Sequence, residues 1–277
     1  MSIASPMAGA QPRISRRGGI AIAALLLVLL VLAPSSALAA GEDAACEVRY
    51  PSDARVAWDC RVLGRGETVE RLFGDRWADV LRFNRIDRLH VLPGVSLKVP
   101  RRLAEVRGFT PMPAVYPEAA GESKFVLVDL TEQFLGAYEY GRLAFSSPLS
   151  GGSKDHPTPT GDFRITAAHA AHWSSLYTFE GTDIPYPMTW ALRFHIDRDG
   201  ASFWIHGRDV PGYPASHGCV GLYDESMQRY YYGVPVRPVL DDARRLYEWA
   251  VGTSADATRV LTITGPRLRI VRRPAAS

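Results

Sequence analysis

Two nearby segments decide how this chain is interpreted: Trp204-Ile205-His206-Gly207 and Ser216-His217-Gly218-Cys219-Val220. The residues up to His206 alternate as in a β-strand, which places His206 at the end of that strand. A side chain at such a position can face a cleft. In the second segment, Gly218 permits a backbone conformation closed to other residues and leaves room for a substrate backbone beside the Cys219 sulfur.

These residues can supply the chemistry of amide cleavage. Nucleophilic attack on an amide needs a thiolate, a base within hydrogen-bond reach and backbone donors for the developing oxyanion. We interpret Cys219 as the nucleophile and His206 as the base, and we expect the imidazole to lower the pKa of the thiol. The Cys219 N–H and its neighbours in the tight turn form a candidate oxyanion hole.

Zinc binding is an alternative for the same side chains, because His206, His217 and Cys219 are of the types that bind zinc. The sequence offers no fourth ligand at a recognisable spacing, and it contains no Cys-x-x-Cys pair. We therefore expect neither a metal nor an organic cofactor.

Residues 1–39 have the pattern of a secretory signal. Arginines precede an apolar run that begins at Ile20, and Ala37-Leu38-Ala39 is a small-residue cleavage site. The run is shorter than the roughly 20 residues that cross a bilayer, which disfavours an uncleaved anchor. We expect cleavage after Ala39, export to the periplasm, and no stable membrane span in the mature protein.

The charge of the chain excludes several partners. The 277 residues include 32 lysines and arginines against 29 aspartates and glutamates, and the formal charge of +3 resides in the predicted signal. The near-neutral mature chain has no overall field that would attract nucleic acid or anionic lipid. We expect no nucleic-acid partner.

The chain contains 3 cysteines, and export would place them in an oxidising compartment. Cys46 and Cys60 are close in sequence and are predicted to form a local disulfide that stabilises the fold by roughly 3 kcal/mol. Cys219 is then unpaired. An unpaired cysteine in such a compartment is either buried and inert or retained for its reactivity.

Residues 46–100 are predicted to form a small unit in the order strand, helix, helix, strand. Thr68 is placed to cap the first helix, the second helix runs from Trp77 to Phe83, and the last strand runs from Val95 to Val99. Residues 101–123, with several prolines, are interpreted as a linker to the next domain.

The small unit resembles the LysM module, a glycan-binding fold. The resemblance rests on the order of elements and on the segments Gly64-Arg65-Gly66-Glu67-Thr68 and Leu92-Pro93-Gly94-Val95-Ser96-Leu97-Lys98-Val99-Pro100. It implies binding to the glycan strands of peptidoglycan. A helix and strand spacer with no ligand is the alternative.

Residues 124–265 are predicted to form a mainly β domain with a sandwich or barrel-like core. Its first strands are predicted at Phe125 to Leu130, Gln133 to Tyr138, Arg142 to Leu149 and Asp162 to Thr166. A helix from Asp241 to Ala250 is expected to pack on the sheet. Residues 266–277, which are rich in arginine, are interpreted as a solvated tail.

The segments around His206 and Cys219 resemble the signature of the L,D-transpeptidase catalytic domain, also called the YkuD family, in which a histidine precedes S-x-G-C-[IV]-R. Upstream segments extend the resemblance: Phe125-Val126-Leu127-Val128-Asp129-Leu130, His156-Pro157-Thr158-Pro159-Thr160-Gly161-Asp162-Phe163 and Tyr186-Pro187-Met188. It implies that Cys219 is the nucleophile and that His206 activates it. The residues implied to shape the substrate loop and oxyanion site are Gly207, Ser216, His217 and Gly218.

One position departs from the family pattern. Gly221 replaces the arginine that usually stands two residues after the cysteine. This change removes a charged donor that could hold a substrate carboxylate or brace the loop. Arg208, directly after Gly207, is a candidate for that contact.

The resemblance implies a peptidoglycan L,D-transpeptidase. The Cys219 thiolate would attack the L-D bond of a donor stem tetrapeptide, release D-alanine, and pass the acyl group to an amine of a second stem or of an envelope protein. With water as acceptor, the protein would be an L,D-carboxypeptidase or stem-peptide hydrolase. A non-catalytic peptidoglycan-binding protein is the alternative of a different class.

Overall fold

The computed structural model describes residues 44–179, 182–252 and 259–273. The predicted signal at 1–39 lies outside these residues. Among the described residues, no helix combines the length and apolar character needed to cross a membrane.

The first part of the chain has the predicted order strand, helix, helix, strand, preceded by one short helix. These elements are α1 (Ala44–Glu47), β1 (Trp58–Val62), α2 (Val69–Phe73), α3 (Trp77–Asn84) and β2 (Ser96–Pro100). β1 and β2 pair antiparallel. Thr68 caps α2 as predicted, its hydroxyl oxygen accepting the Arg71 N–H at 3.4 Å. The LysM identity of this N-terminal unit stays a prediction.

Cys46 and Cys60 form the predicted disulfide, with their Cα atoms 6.0 Å apart. The bond joins α1 to β1. It therefore attaches the first described residues to the sheet of the N-terminal unit.

The remaining strands and two helices form the β domain. One sheet contains β3 (Phe125–Asp129), β4 (Phe134–Glu139), β5 (Arg142–Pro148), β6 (Gly161–Arg164) and β12 (Arg267–Val271), in the order β5-β4-β3-β12-β6. The other contains β7 (Ala167–Thr178), β8 (Pro185–Ile196), β9 (Ser202–Gly207), β10 (Val220–Leu222) and β11 (Leu261–Thr262), in the order β10-β9-β8-β7-β11. The helices are α4 (Glu225–Tyr232) and α5 (Asp242–Val251).

The main core lies between the two sheets and α5. Val128 of β3, Leu192 of β8 and Ile205 of β9 are 0% exposed, and Leu246 of α5 packs with them at 1% exposure. This arrangement confirms the mainly β fold and the packing of the C-terminal helix on a sheet.

The predicted tail is a strand, so the interpretation of residues 266–277 as solvated is wrong for their described part. β12 pairs parallel with β3 and antiparallel with β6. Leu268 and Ile270 are buried in the core, whereas Arg269 lies on the other face and pairs with Asp162 at 2.7 Å. The segment alternates as a half-buried strand does. The arginines on its outer face made it resemble a charged, solvated tail.

Residues 101–123 are packed and do not form a free linker. Val106 and Ala119 are fully buried, and Met112 is nearly so. Met112 and Ala119 pack with Phe125 of β3 in one apolar cluster. The prolines suggested a spacer, but the apolar residues between them form part of the core.

A buried ion network joins the N-terminal unit to the β domain. Arg85, directly after α3, is 0% exposed, and its guanidinium binds Asp53 at 2.8 Å and Glu132 at 3.3 Å. Asp53 also binds the Lys98 ammonium at 2.7 Å. Glu132 lies between β3 and β4 and accepts the Ser52 hydroxyl at 2.5 Å. Each buried charge in the network therefore has a partner, as burial requires.

We expect Asp53→Asn to lower the free energy of unfolding by about 3 kcal/mol, because Arg85 and Lys98 would stay buried without their shared carboxylate. Asp59→Asn is the matched control, since Asp59 pairs with Arg101 at the surface and should lower the free energy of unfolding far less than Asp53→Asn does. Urea denaturation followed by circular dichroism measures both. Equal small losses in the two variants would contradict this account of the network.

Candidate active site

Two short strands at the edge of the second sheet set the positions of the predicted site residues. β10 pairs parallel with β9, with Val220 opposite Ile205 and Gly221 opposite His206. Successive side chains of a strand point to opposite faces. Ile205 and Val220 are fully buried in the core, so His206 and Cys219, each one residue away from them, share the other face.

A cavity of about 1010 Å³ opens on this face. The predicted site residues that line it are Cys219, His206, Arg208, Ser216 and His217. Aromatic side chains that also line it are Trp204, Tyr177, Phe179 and Tyr186. The structure thus brings the candidate nucleophile and base together in one cleft of the size that holds a small peptide.

His206 is placed to accept a proton. It is 4% exposed, and its Nδ1 lies 2.8 Å from the Gly207 carbonyl oxygen. A carbonyl oxygen only accepts, so Nδ1 carries the hydrogen and Nε2 is left as the acceptor. Burial, with the positive charge of Arg208 as a smaller cause, lowers the pKa of His206 to about 3. The imidazole is therefore neutral at pH 7.

The expected lowering of the thiol pKa is wrong for the free protein. Burial raises the pKa of Cys219 above its ordinary value, although a hydrogen bond with the Trp204 backbone and the charge of Arg208 act in the opposite direction. Desolvation disfavours the thiolate and the imidazolium alike. Cys219 and His206 therefore rest as a thiol and a neutral imidazole.

Ser216 braces the turn that carries the nucleophile. Its Oγ accepts the Gly218 N–H at 3.1 Å and donates to the Cys219 carbonyl oxygen at 2.5 Å. Gly218 has a φ of +106°, and a Cβ there would lie 2.6 Å from the Phe203 ring, so both conformation and space require glycine. Ser216 therefore occupies the Gly218 N–H.

A second segment, to which the sequence reasoning gave no role, supports the turn from the other side. Ser150 and Gly221 exchange two backbone hydrogen bonds of 2.9 Å. Gly152 has no space for a side chain, because a Cβ there would lie 2.2 Å from the His156 carbonyl oxygen. The adjacent glycines at 151 and 152 could have indicated this packing from the sequence, because glycines allow two backbones to approach closely.

Gly207 orients the His206 ring. Its carbonyl holds His206, and a Cβ on Gly207 would lie 2.4 Å from both Thr189 Oγ1 and Asp224 Oδ2. Thr189 donates to Asp224, which also caps α4 by accepting the Met227 N–H at 2.8 Å. No sequence motif indicated Thr189 or Asp224, because their contact depends on the packing of α4 against the sheet.

His217 forms part of the aromatic rim of the cavity. Its ring stacks on Tyr177 with centroids 4.2 Å apart and lies 4.7 Å from the His156 ring. Desolvation, followed by the charges of His156 and Arg208, lowers the pKa of His217. Among the residues that the structure describes, no group of three or more His, Cys, Asp or Glu is arranged to hold a metal ion.

Arg208 lies over Gly221. A Cβ on Gly221 would lie 2.0 Å from Arg208 Cδ, so the stem of the arginine fills the space that a side chain at 221 would take. The Arg208 N–H donates to the Leu222 carbonyl at 3.0 Å, which extends the pairing of β9 and keeps Arg208 on the face of His206. The Arg208 Nε donates to the Asp209 carbonyl at 3.2 Å, and none of the ion pairs found among the described residues includes Arg208.

Alkylation of Cys219 by iodoacetamide should accelerate continuously from about pH 6 to about pH 9, because the raised thiol pKa leaves little thiolate at neutral pH. His206→Gln should keep this profile, since the imidazole is already neutral across that range. Intact mass spectrometry measures the rate, with Cys219→Ala as the unlabelled control. A rate that is already at a plateau below pH 7 would instead reveal a preformed thiolate–imidazolium pair.

Residues 123–260 match the family model described as the L,D-transpeptidase catalytic domain, YkuD. No curated protein matches the chain. An L,D-transpeptidase structure from Stackebrandtia nassauensis is similar at 22% identity over 56% of this chain and 58% of that one, with a TM-score of 0.36. One from Xylanimonas cellulosilytica is similar at 19% identity over 78% of this chain and 98% of that one, with a TM-score of 0.44.

The chain covers 58% of the length of the Stackebrandtia nassauensis structure and 59% of that of an L,D-transpeptidase solved in complex with imipenem, so it spans less than two thirds of each. The family model matches about half of the chain and includes both the His206 strand and the Cys219 turn. Through its residues 123–260, the chain therefore belongs to the L,D-transpeptidase catalytic domain family, YkuD.

Proposed function

We propose that the protein is a peptidoglycan L,D-transpeptidase with Cys219 as nucleophile and His206 as base. The observation that carries the proposal is the register of β9 against β10, which directs both side chains to one face and into one cavity. The Gly207 carbonyl fixes the tautomer of His206, so that Nε2 is the nitrogen free to accept the thiol proton. Membership of the YkuD family supports the class of reaction.

In the first half of the reaction, the Cys219 sulfur attacks the carbonyl of the L-D bond in a donor stem tetrapeptide. The thiol proton passes to His206 Nε2 as the S–C bond forms, and the Cys219 N–H stabilises the developing oxyanion. When the oxyanion collapses, the C–N bond breaks and the imidazolium gives its proton to the departing amine of D-alanine. A thioester on Cys219 remains.

In the second half, an acceptor attacks the thioester. An amine of another stem gives a 3-3 crosslink, and an amine of an envelope protein gives anchoring. His206 takes the proton of the attacking amine and returns it to the Cys219 sulfur as the S–C bond breaks. Water as acceptor gives L,D-carboxypeptidase activity by the same steps.

The resting state of the dyad suits an exported enzyme, and we infer a location in the cell envelope. The Cys46–Cys60 disulfide supports this location, because structural disulfides form in oxidising compartments. The raised pKa keeps Cys219 as a thiol, the form that resists oxidation. Glycan binding by the N-terminal unit is a further part of the proposal and rests on its strand, helix, helix, strand order.

Incubation with a tetrapeptide stem should give a Cys219 acyl adduct and free D-alanine, both measured by mass spectrometry. Cys219→Ala should abolish both, and His206→Gln should slow acylation about a thousandfold, because the general base is lost. His195→Gln is the matched control and should acylate normally, since His195 packs against Phe163 and Phe203 away from the reacting groups. A folded, reduced wild type that forms no adduct would contradict the proposal and favour a binding protein.

Arg208 is our candidate ligand for a carboxylate of the donor stem. Arg208 lines the cavity, and its Nε donates to the Asp209 carbonyl, while no ion pair found among the described residues includes it. Gly221 makes this position available, because a side chain there would occupy the space of the arginine stem. A planar guanidinium and a carboxylate form two parallel hydrogen bonds, which fix orientation as well as affinity.

Arg208→Ala should raise the KM for the donor stem by about tenfold to a hundredfold, the loss expected for a charged hydrogen bond. Gly221→Ala should have a similar effect, because its Cβ would displace the arginine stem. Adding Gly221→Ala to Arg208→Ala should then cause little further loss. Steady-state D-alanine release measures KM, and unchanged kinetics in Arg208→Ala would remove this residue from the substrate site.

A further inference from the structure

The segment 208–212, which follows the His206 strand, is hydrogen-bonded to the N-terminal unit and packs against it. The Asp87 N–H donates to the Val210 carbonyl at 2.9 Å, and the Val210 N–H donates to the Asp87 carboxylate at 2.6 Å. The Tyr50 hydroxyl donates to the Gly212 carbonyl at 2.8 Å. Val210 is fully buried among the core residues of the N-terminal unit.

Asp87 is the centre of this attachment. It is 0% exposed. The carboxylate oxygen that accepts the Val210 N–H also accepts the Gln228 side-chain amide at 2.6 Å, and the other oxygen lies 2.7 Å from His90 Nδ1. One buried carboxylate therefore binds the N-terminal unit, the 208–212 segment and α4 together, and removing it would leave buried donors unsatisfied.

The attached segment and the N-terminal unit both contribute to the cavity. Arg208 and Asp209 line it, and Asp209 accepts the Tyr186 hydroxyl at 2.8 Å. Leu89, two residues after Asp87, lines the same cavity. The N-terminal unit thus borders the cleft directly. It also holds the 208–212 segment, which carries Arg208, the cationic side chain of the cleft.

We propose that the N-terminal unit is part of the substrate site, with Asp87 as a positioning residue that holds Arg208 toward Cys219 by fixing Val210. The inference rests on the proposed function for the identity of the substrate, an anionic donor stem. The contacts of Asp87 carry the positioning itself. A unit that served only as a glycan tether would not need a buried carboxylate bonded to the backbone of the 208–212 segment.

The test compares two alkylating agents that differ in charge. Iodoacetate carries a carboxylate that a guanidinium beside Cys219 attracts, whereas iodoacetamide is neutral. A change in the reactivity of the thiol affects both alkylation rates equally. The ratio of the two rates at Cys219 therefore reports the position of Arg208. Arg208→Ala should lower this ratio about tenfold, and Asp87→Ala should lower it by most of the same factor. The double variant should lose no more than Arg208→Ala alone.

Two further variants complete the design. Asp59→Ala removes a surface carboxylate of the same N-terminal unit and should leave the ratio unchanged. Tyr50→Phe removes the hydrogen bond to Gly212 while leaving Asp87 in place, and it should lower the ratio severalfold. Tyr50→Phe also provides the test if a thermal melt shows that Asp87→Ala is unfolded.

Wild-type ratios in the folded Asp87 and Tyr50 variants would overturn the proposal, and so would a fully additive loss in the double variant. Alkylation needs no stem peptide. A wild type that releases no D-alanine would therefore overturn the proposed function and would leave this test valid.

Discussion

Two short strands, β9 and β10, run parallel at the edge of a sheet, and the main groups of the proposed site take their positions from their register. The pairing of Gly221 with His206 places Cys219 diagonally across from the imidazole on the same face. The opposite face is anchored by Ile205 and Val220, both fully buried in the core. A slip of one residue would turn His206 and Cys219 into the core, so burial of the apolar face specifies the proposed site.

The same register explains why Arg208 and Gly221 occur together. His206, Arg208 and Cys219 line the cavity, with Arg208 directly after β9 and Cys219 directly before β10. A long side chain at 208 extends into the space above position 221, where the structure has only a glycine Cα. The departure of Gly221 from the family pattern is therefore accompanied by a cation supplied from the neighbouring strand. Burial also keeps Cys219 and His206 uncharged.

Much of the β domain, and the placement of Cys219 and His206 in one cleft, could be predicted from the sequence, because alternation and turn glycines are local signals. Sequence reasoning missed β12 because arginines alternate with Leu268 and Ile270 on a short segment, and only pairing with β3 shows that one face is buried. It also misread 101–123, where prolines interrupt residues that are buried in the core. The contacts of Arg208 with Gly221 and of Asp87 with Val210 join positions far apart in sequence, and no local pattern contains them.

The N-terminal unit and the β domain are joined by buried charges as well as by apolar packing. Arg85 reaches Asp53 and Glu132 at one point, and Asp87 reaches Val210 at another. Both attachments lie in or directly after the turn that ends α3, so this turn orients the unit against the cleft. Under the proposed function, a unit fixed in this way would present a bound glycan strand and its stem at a constant angle to Cys219.

The most direct measurement of the central claim is a crystal structure of the protein acylated by a carbapenem. We expect a thioester at Cys219 Sγ, with the carboxylate of the adduct on the Arg208 guanidinium above Gly221 and the His206 ring still held by the Gly207 carbonyl. An unmodified Cys219, or an adduct whose carboxylate lies away from Arg208, would contradict it.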